Sequence, residues 1–221
     1  MKKNLFLLSV ISVVYVLPIH EKRYIQRTVI LDPAGDAKRT GRRIGDSFER
    51  GLTLQCAEKI KMMVEERAPY IKVLITRLPG DIVYDLQNAS LANRIDVDLF
   101  INLNFYYTQE TKPTVRLYQF SYGNDFATHQ QGLVCNTYDE AYKINKQSTD
   151  HISQLFYKTM SQPSYQSVCT VLGPYSLPIK PLIGIIAPSI AIEAGLKDKE
   201  SWRGYCEPIV EAILRAFDEI I

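Results

Sequence analysis

The chain has 221 residues, 46 % of them hydrophobic and 23 % charged, with 11 glycines and 11 prolines. That profile fits one globular domain with a core of its own and excludes a fibrous, low-complexity or disordered chain. The formal charge is only +2, no more than Lys2 and Lys3 supply, so the rest carries no electrostatic footprint for nucleic acid.

In chain order, the two lysines are followed by an uncharged apolar run over residues 5–17 and then Pro18. A basic start with roughly a dozen apolar residues is the core of a signal peptide and falls short of a comfortable bilayer span. Val16, Leu17, Pro18 and Ile19 are bulky and leave no small-residue cleavage pattern. Residues 1–19 are therefore read as a signal peptide or an uncleaved N-terminal membrane anchor. An exported chain of the periplasm or cell envelope is the expectation. No other segment reads as a span.

Residues 28–31 form a short apolar run stopped by Asp32-Pro33, the signature of a buried strand. The loop after it holds Lys38, Arg39, Arg42 and Arg43, read as a solvated basic cluster. Over residues 49–67, Leu52, Cys56, Ala57, Ile60, Met63 and Val64 recur at helical spacing, and Pro69 closes the helix. Strands are expected at 71–75 and 99–103, a helix at 86–95, and a more exposed or edge strand at 115–120. The polar stretch 123–142 reads as a long excursion. A helix over 144–160, strands at 168–172 and 189–192, and an amphipathic helix over 202–221 complete the pattern. Strands alternating with helices give a single α/β domain, residues 27–221, with a mostly parallel mixed sheet flanked by helices.

In such sheets reactive groups gather where strands end. Glu193 leaves an apolar strand beside Ala194 and Gly195. It reads either as a partly desolvated carboxylate suited to general-base work or as a solvent-facing strand terminus. Asp46-x-x-Glu49 has the form of a helix capping box. Asp32 reads as a turn cap before Pro33, and Asn104 as a polar strand end leading into Phe105, Tyr106 and Tyr107. The three histidines, His20, His129 and His151, avoid every strand end and read as surface or structural residues. Cys56 and Cys206 lie on apolar helical faces and read as core. Cys135 and Cys169 are the pair considered for a bridge in an oxidising compartment.

Six segments in order carry a resemblance. VILDPAGDAKRTG is similar to an opening strand that ends in D-x-G-H-G, and SFERGLTLQCAEKIKMMV to a ligand glutamate followed by the first helix. VLITR is similar to a second strand ending in T-R, and LANRIDVDLFINLNFYY to A-N-x-x-x-A-D-L-F-I-S-I-H-A-N. VRLYQFSYGND is similar to a G-x-E-V-Y-Y strand, and APSIAIEAGLKDKESW to P-A-V-L-V-E-x-G-F-x-S-N-x-x-E. Together they resemble the zinc-dependent N-acetylmuramoyl-L-alanine amidases, cell-wall hydrolases with a His–Glu–His metal site.

The resemblance implies an amidase-like, zinc exopeptidase-like fold and cleavage of the amide between N-acetylmuramic acid and L-alanine. It implies a zinc held by two histidines and one glutamate, with a second glutamate as general base. Position by position, Glu49 falls at the ligand glutamate and Glu193 at the general base. Ala34 and Asn104 fall at the two histidines, and neither is competent for zinc. Asn88 stands where the family has a helix arginine. Phe105 and Tyr106 are the candidate substrate contacts. The expectation is a catalytically impaired homologue with no metal or a weakly held one, binding peptidoglycan stem peptide or a cell-envelope protein. The alternatives are an active amidase with a rebuilt metal site and an interaction protein whose cleft the aromatics fill.

Overall fold

The computed structural model describes residues 26–84, 86–123 and 137–220. The leader, His20, His129 and Cys135 lie outside the described residues. Among these, no helix is long and apolar enough to cross a membrane.

The elements follow the expected alternation. Strand β1 (Arg27–Pro33) leads through the short strands β2 (Arg43–Ile44) and β3 (Ser47–Phe48) into helix α1 (Glu49–Arg67). Then come β4 (Ile71–Ile75), α2 (Gln87–Arg94), β5 (Leu99–Tyr107) and β6 (Thr114–Phe120). Helix α3 (Lys146–Met160), β7 (Thr170–Leu177), β8 (Ser189–Leu196) and α4 (Arg203–Ile220) complete the fold. One six-stranded sheet has the order β4-β1-β5-β8-β6-β7. Its first four strands are parallel, β6 runs antiparallel to β8, and β7 is parallel to β6. A single mixed, mostly parallel sheet between helices is what the sequence pattern demands.

The alternation of side chains along each strand gives the sheet two unlike faces. Leu31, Leu103, Phe105 and Ile192 face one core, covered by α1, α3 and α4 through residues such as Ile60, Phe156 and Ile213. Ile30, Phe100 and Ala191 face a smaller core under α2 and the segment holding Leu182 and Ile185. Toward the carboxyl ends of the strands the second face turns polar, with Asp32, Asn102, Asn104 and Glu193 in place of the apolar residues. The register shows the pattern. Asp32 lies beside Asn102, which lies beside Ala191 and then Tyr118, while Asn104 lies beside Glu193 and then Arg116.

Three expectations are corrected here. Strand β6 is not an edge strand, because it sits between β8 and β7. Its polar residues Arg116 and Tyr118 face the polar end of the sheet, not bulk solvent at an edge. The strand expected at 168–172 is β7, displaced to Thr170–Leu177. Helix α1 has no capping box: Phe48 is the N-cap without a side-chain hydrogen bond, and Asp46 instead meets Lys199 at 3.1 Å on the surface.

Candidate functional site

The polar end of the second face is open. A cleft of about 550 Å³ runs over Asp32, Ala34, Asn88, Asn102 and Asn104, with an apolar wall that includes Tyr84, Leu86 and Ile183. An adjoining hollow of about 270 Å³ shares Asn102, Asn104 and Pro181 and reaches Tyr118 and Glu193. The alternative in which aromatics fill the cleft is not what the fold does. Phe105 is 1 % exposed and packs toward Tyr205 in the opposite core, with ring centroids 6.4 Å apart. The Tyr106 hydroxyl is bound by Thr114 and receives the Arg116 guanidinium at 3.1 Å. Tyr107 is exposed. Neither Phe105 nor Tyr106 lines the cleft.

Asp32 anchors the cleft floor. Its Oδ1 accepts from the Thr76 hydroxyl and the Asn88 amide, both at 2.7 Å, and its Oδ2 accepts from the Asn102 amide at 2.8 Å. Asn104 donates in turn to Asn102 Oδ1. Burial pushes the Asp32 carboxyl above 3.8, opposed by the bonds from Thr76 and Asn102, the Arg77 charge and the bond from Asn88. Asp32 is therefore the hub of a polar network, not a turn cap. Asp36, also on the cleft wall, is an acceptor for Arg39. Burial raises its pKa, but hydrogen bonds from the Arg39 backbone and guanidinium and from the Val83 and Lys38 amides prevail and lower it to about 2.

The two glutamates are both engaged, and by the same residue. Glu49, 5 % exposed, accepts the Phe105 backbone N–H on Oε1 at 2.8 Å and the Arg42 backbone N–H on Oε2 at 3.0 Å. The Arg42 guanidinium lies 2.7 Å from Glu193 Oε1 and reaches the Phe105 carbonyl at 3.3 Å. Glu193 Oε2 accepts from the Tyr118 hydroxyl at 3.1 Å and lies 3.9 Å from Arg116. Of the two forms expected, Glu193 is the partly desolvated carboxylate, here with guanidinium partners. It is one-fifth exposed and paired with cations. The Arg42 loop closes tightly because Gly41 adopts φ +73°, and a Cβ there would lie 2.7 Å from Glu49 Oε2. Gly41→Ala is expected to destabilise the fold by more than about 1 kcal/mol. A thermal midpoint equal to that of the wild type would show that this loop does not need its glycine.

No protein-family model matches the chain, and no curated protein matches it. Solved structures do. The N-acetylmuramyl-L-alanine amidase Ami1 from Mycobacterium smegmatis superposes with a TM-score of 0.65 at 11 % identity, over 89 % of this chain and 99 % of that one. The apo form of Ami1 from Mycobacterium abscessus gives 0.63 at 13 %, over 86 % and 98 %. The CwlD amidase from Clostridioides difficile, solved in complex with the GerS lipoprotein, gives 0.60 at 14 %, over 87 % and 98 %. The fold is that of an N-acetylmuramoyl-L-alanine amidase catalytic domain.

The residues that the sequence resemblance sets against metal ligands, Ala34, Asn104 and Glu49, do not fit a zinc ion in this chain. Ala34 offers no side-chain donor, and its backbone carbonyl is held by Thr53 at 2.8 Å and Arg77 at 3.1 Å. Asn104 offers an amide already turned to Asn102. Glu49 alone of the three offers a carboxylate, with one backbone amide on each oxygen. Among the described residues no three His, Cys, Asp or Glu side chains converge as a metal site. His151 is on the surface, 3.3 Å from Glu219. The residues that sequence reading missed are Arg42, Arg116 and Tyr118. Arg42 stood in a basic loop read as solvated, and nothing local signals its reach to Glu193. Arg116 and Tyr118 alternate on β6, and that two-residue spacing is the one signal that placed them on a common face.

Proposed function

We propose that this chain is a cell-envelope protein of amidase fold that binds peptidoglycan stem peptide in its cleft without cutting it. The observation that carries this reading is Arg42, which satisfies Glu49 through its backbone and pairs with Glu193 through its guanidinium. A metal-assisted hydrolase needs an open position on the metal and a base free to take a proton. Here the glutamate at the base position is held by a permanent cation, and the histidine positions hold Ala34 and Asn104. The cleft nevertheless stays open, which favours binding over a filled, purely structural remnant. Arg42 and Arg116 both face Glu193, which lines the smaller hollow, and there a peptide carboxylate would compete for the two guanidiniums. A protein partner is the second reading, supported by CwlD having been solved with a lipoprotein.

The test is purified protein added to purified sacculi. The protein is expected to sediment with the sacculi, to release no free stem peptide, and to contain far less than one zinc per chain. Retention is expected to weaken in Arg42→Ala and at raised salt, since partly exposed charges are screened. One zinc per chain together with peptide release that Glu193→Ala abolishes would overturn the reading in favour of an active amidase.

A further inference from the structure

Two thiols that the cleft does not use meet in the core on the other face of the sheet. Cys56 lies in the middle of α1 and Cys206 in the first turn of α4, and they are 0 % and 3 % exposed. Their sulfur atoms are 3.9 Å apart although 150 residues separate them in sequence. Both are free thiols, as is Cys169, which is buried near the start of β7. The pair is asymmetric. The hydrogen bond with Cys206, and then burial, push the Cys56 thiol up, whereas the same bond lowers Cys206, aided by the charges of Lys59 and Arg203.

We propose that Cys56 and Cys206 are a disulfide site that ties α1 to α4. The chemistry balances with a low-molecular-weight disulfide of the glutathione type as oxidant. The Cys206 thiolate attacks one sulfur of that disulfide and expels one small thiolate, which takes up the proton Cys206 gave up. The Cys56 thiolate then attacks the Cys206 sulfur of the mixed disulfide and expels the second. Two protein thiols are oxidised to one S–S bond, and one small disulfide is reduced to two thiols. The sulfurs must close from 3.9 Å to about 2.05 Å, between two helices already packed together. Because neither thiol is accessible in the folded chain, the bond closes while the protein folds. An exported chain would fold where such oxidants are present. The bond would close a loop through most of the domain, and loops of that length lose the most unfolded-state entropy. The inference shares with the proposed function only the export of the chain and does not rest on its ligand.

The experiment refolds the denatured, reduced full chain in a mixture of reduced and oxidised glutathione, then alkylates it in denaturant and measures its mass. Two of the four cysteines are expected to escape alkylation. A non-reduced digest is expected to contain one cross-linked species joining the Cys56 and Cys206 peptides. The species should persist in Cys169→Ser and vanish in Cys56→Ala and Cys206→Ala. The oxidised chain should melt roughly 5–15 °C above the reduced one. Four alkylated cysteines, a cross-link through Cys169 or Cys135 instead, or a bond that lowers the melting point would each overturn the assignment.

Discussion

Ala34→His combined with Asn104→His is expected to raise zinc affinity by about five decades. A structural zinc site is worth ~10–16 kcal/mol, so each of four ligands carries very roughly 3–4 kcal/mol and two supply ~6–8 kcal/mol. The geometry favours the outcome. Both positions line the same cleft, Ala34 directly after β1 and Asn104 inside the neighbouring β5, and the Ala34 amide already donates to the Leu103 carbonyl at 2.9 Å. Glu49 is engaged by two backbone amides, one on each oxygen, but a carboxylate has about four lone-pair sites and retains some for a metal. Competition against a chromophoric chelator reads the affinity. Either single histidine should recover only part of the gain. A wild-type chain that already binds as tightly as the double variant would show a donor set outside these positions. Restored binding need not restore hydrolysis, because Glu193 stays paired with Arg42. Adding Arg42→Ala separates the two effects: metal affinity should change little while the Glu193 carboxylate is released.

The strands that build the site were legible because each ends an apolar run with a polar residue. Asp32, Asn104 and Glu193 mark those ends, and the ordered motifs also located Ala34 and Glu49. What could not be read were partnerships between residues distant in sequence. The basic composition of residues 38–43 looks the same whether the side chains are solvated or folded back, and only the tertiary fold turns Arg42 toward Glu193. Asp46 and Glu49 had capping-box spacing, but backbone donors at Arg42 and Phe105 outcompete the local bond. On β6 the polarity of Arg116 and Tyr118 mimicked solvent exposure because a cleft and an edge impose the same alternation. Likewise Cys56 and Cys206 were each recognisable as core, yet helical periodicity says nothing about which helices pack together.

Asp32→Ala should be the most damaging single change at the cleft. Thr76, Asn88 and Asn102 all donate to this one carboxyl group, and the nearby Arg77 is 5 % exposed. Removing the acceptor leaves the buried Asn102 amide and the part-buried Thr76 and Asn88 donors unsatisfied. Losses of that kind cost about 3–5 kcal/mol. For a domain of this size that corresponds to a fall in thermal midpoint of roughly 6–20 °C. Asp32→Asn should cost less, because it retains one carbonyl acceptor while turning one amide toward a donor. The pH dependence has a definite sign. Burial raises the folded pKa of Asp32 above 3.8, so the folded state binds the proton more tightly than the unfolded state does. The stability this group contributes is therefore complete below about pH 4 and declines as pH rises through the raised value. The gap between wild type and Asp32→Ala should accordingly be widest in acid and narrow toward neutrality. A gap that instead widens from pH 4 to pH 7 would mean that the carboxylate is stabilised by its donors more than it is penalised by burial. The cleft floor would then be a preorganised anion held by Thr76, Asn88 and Asn102.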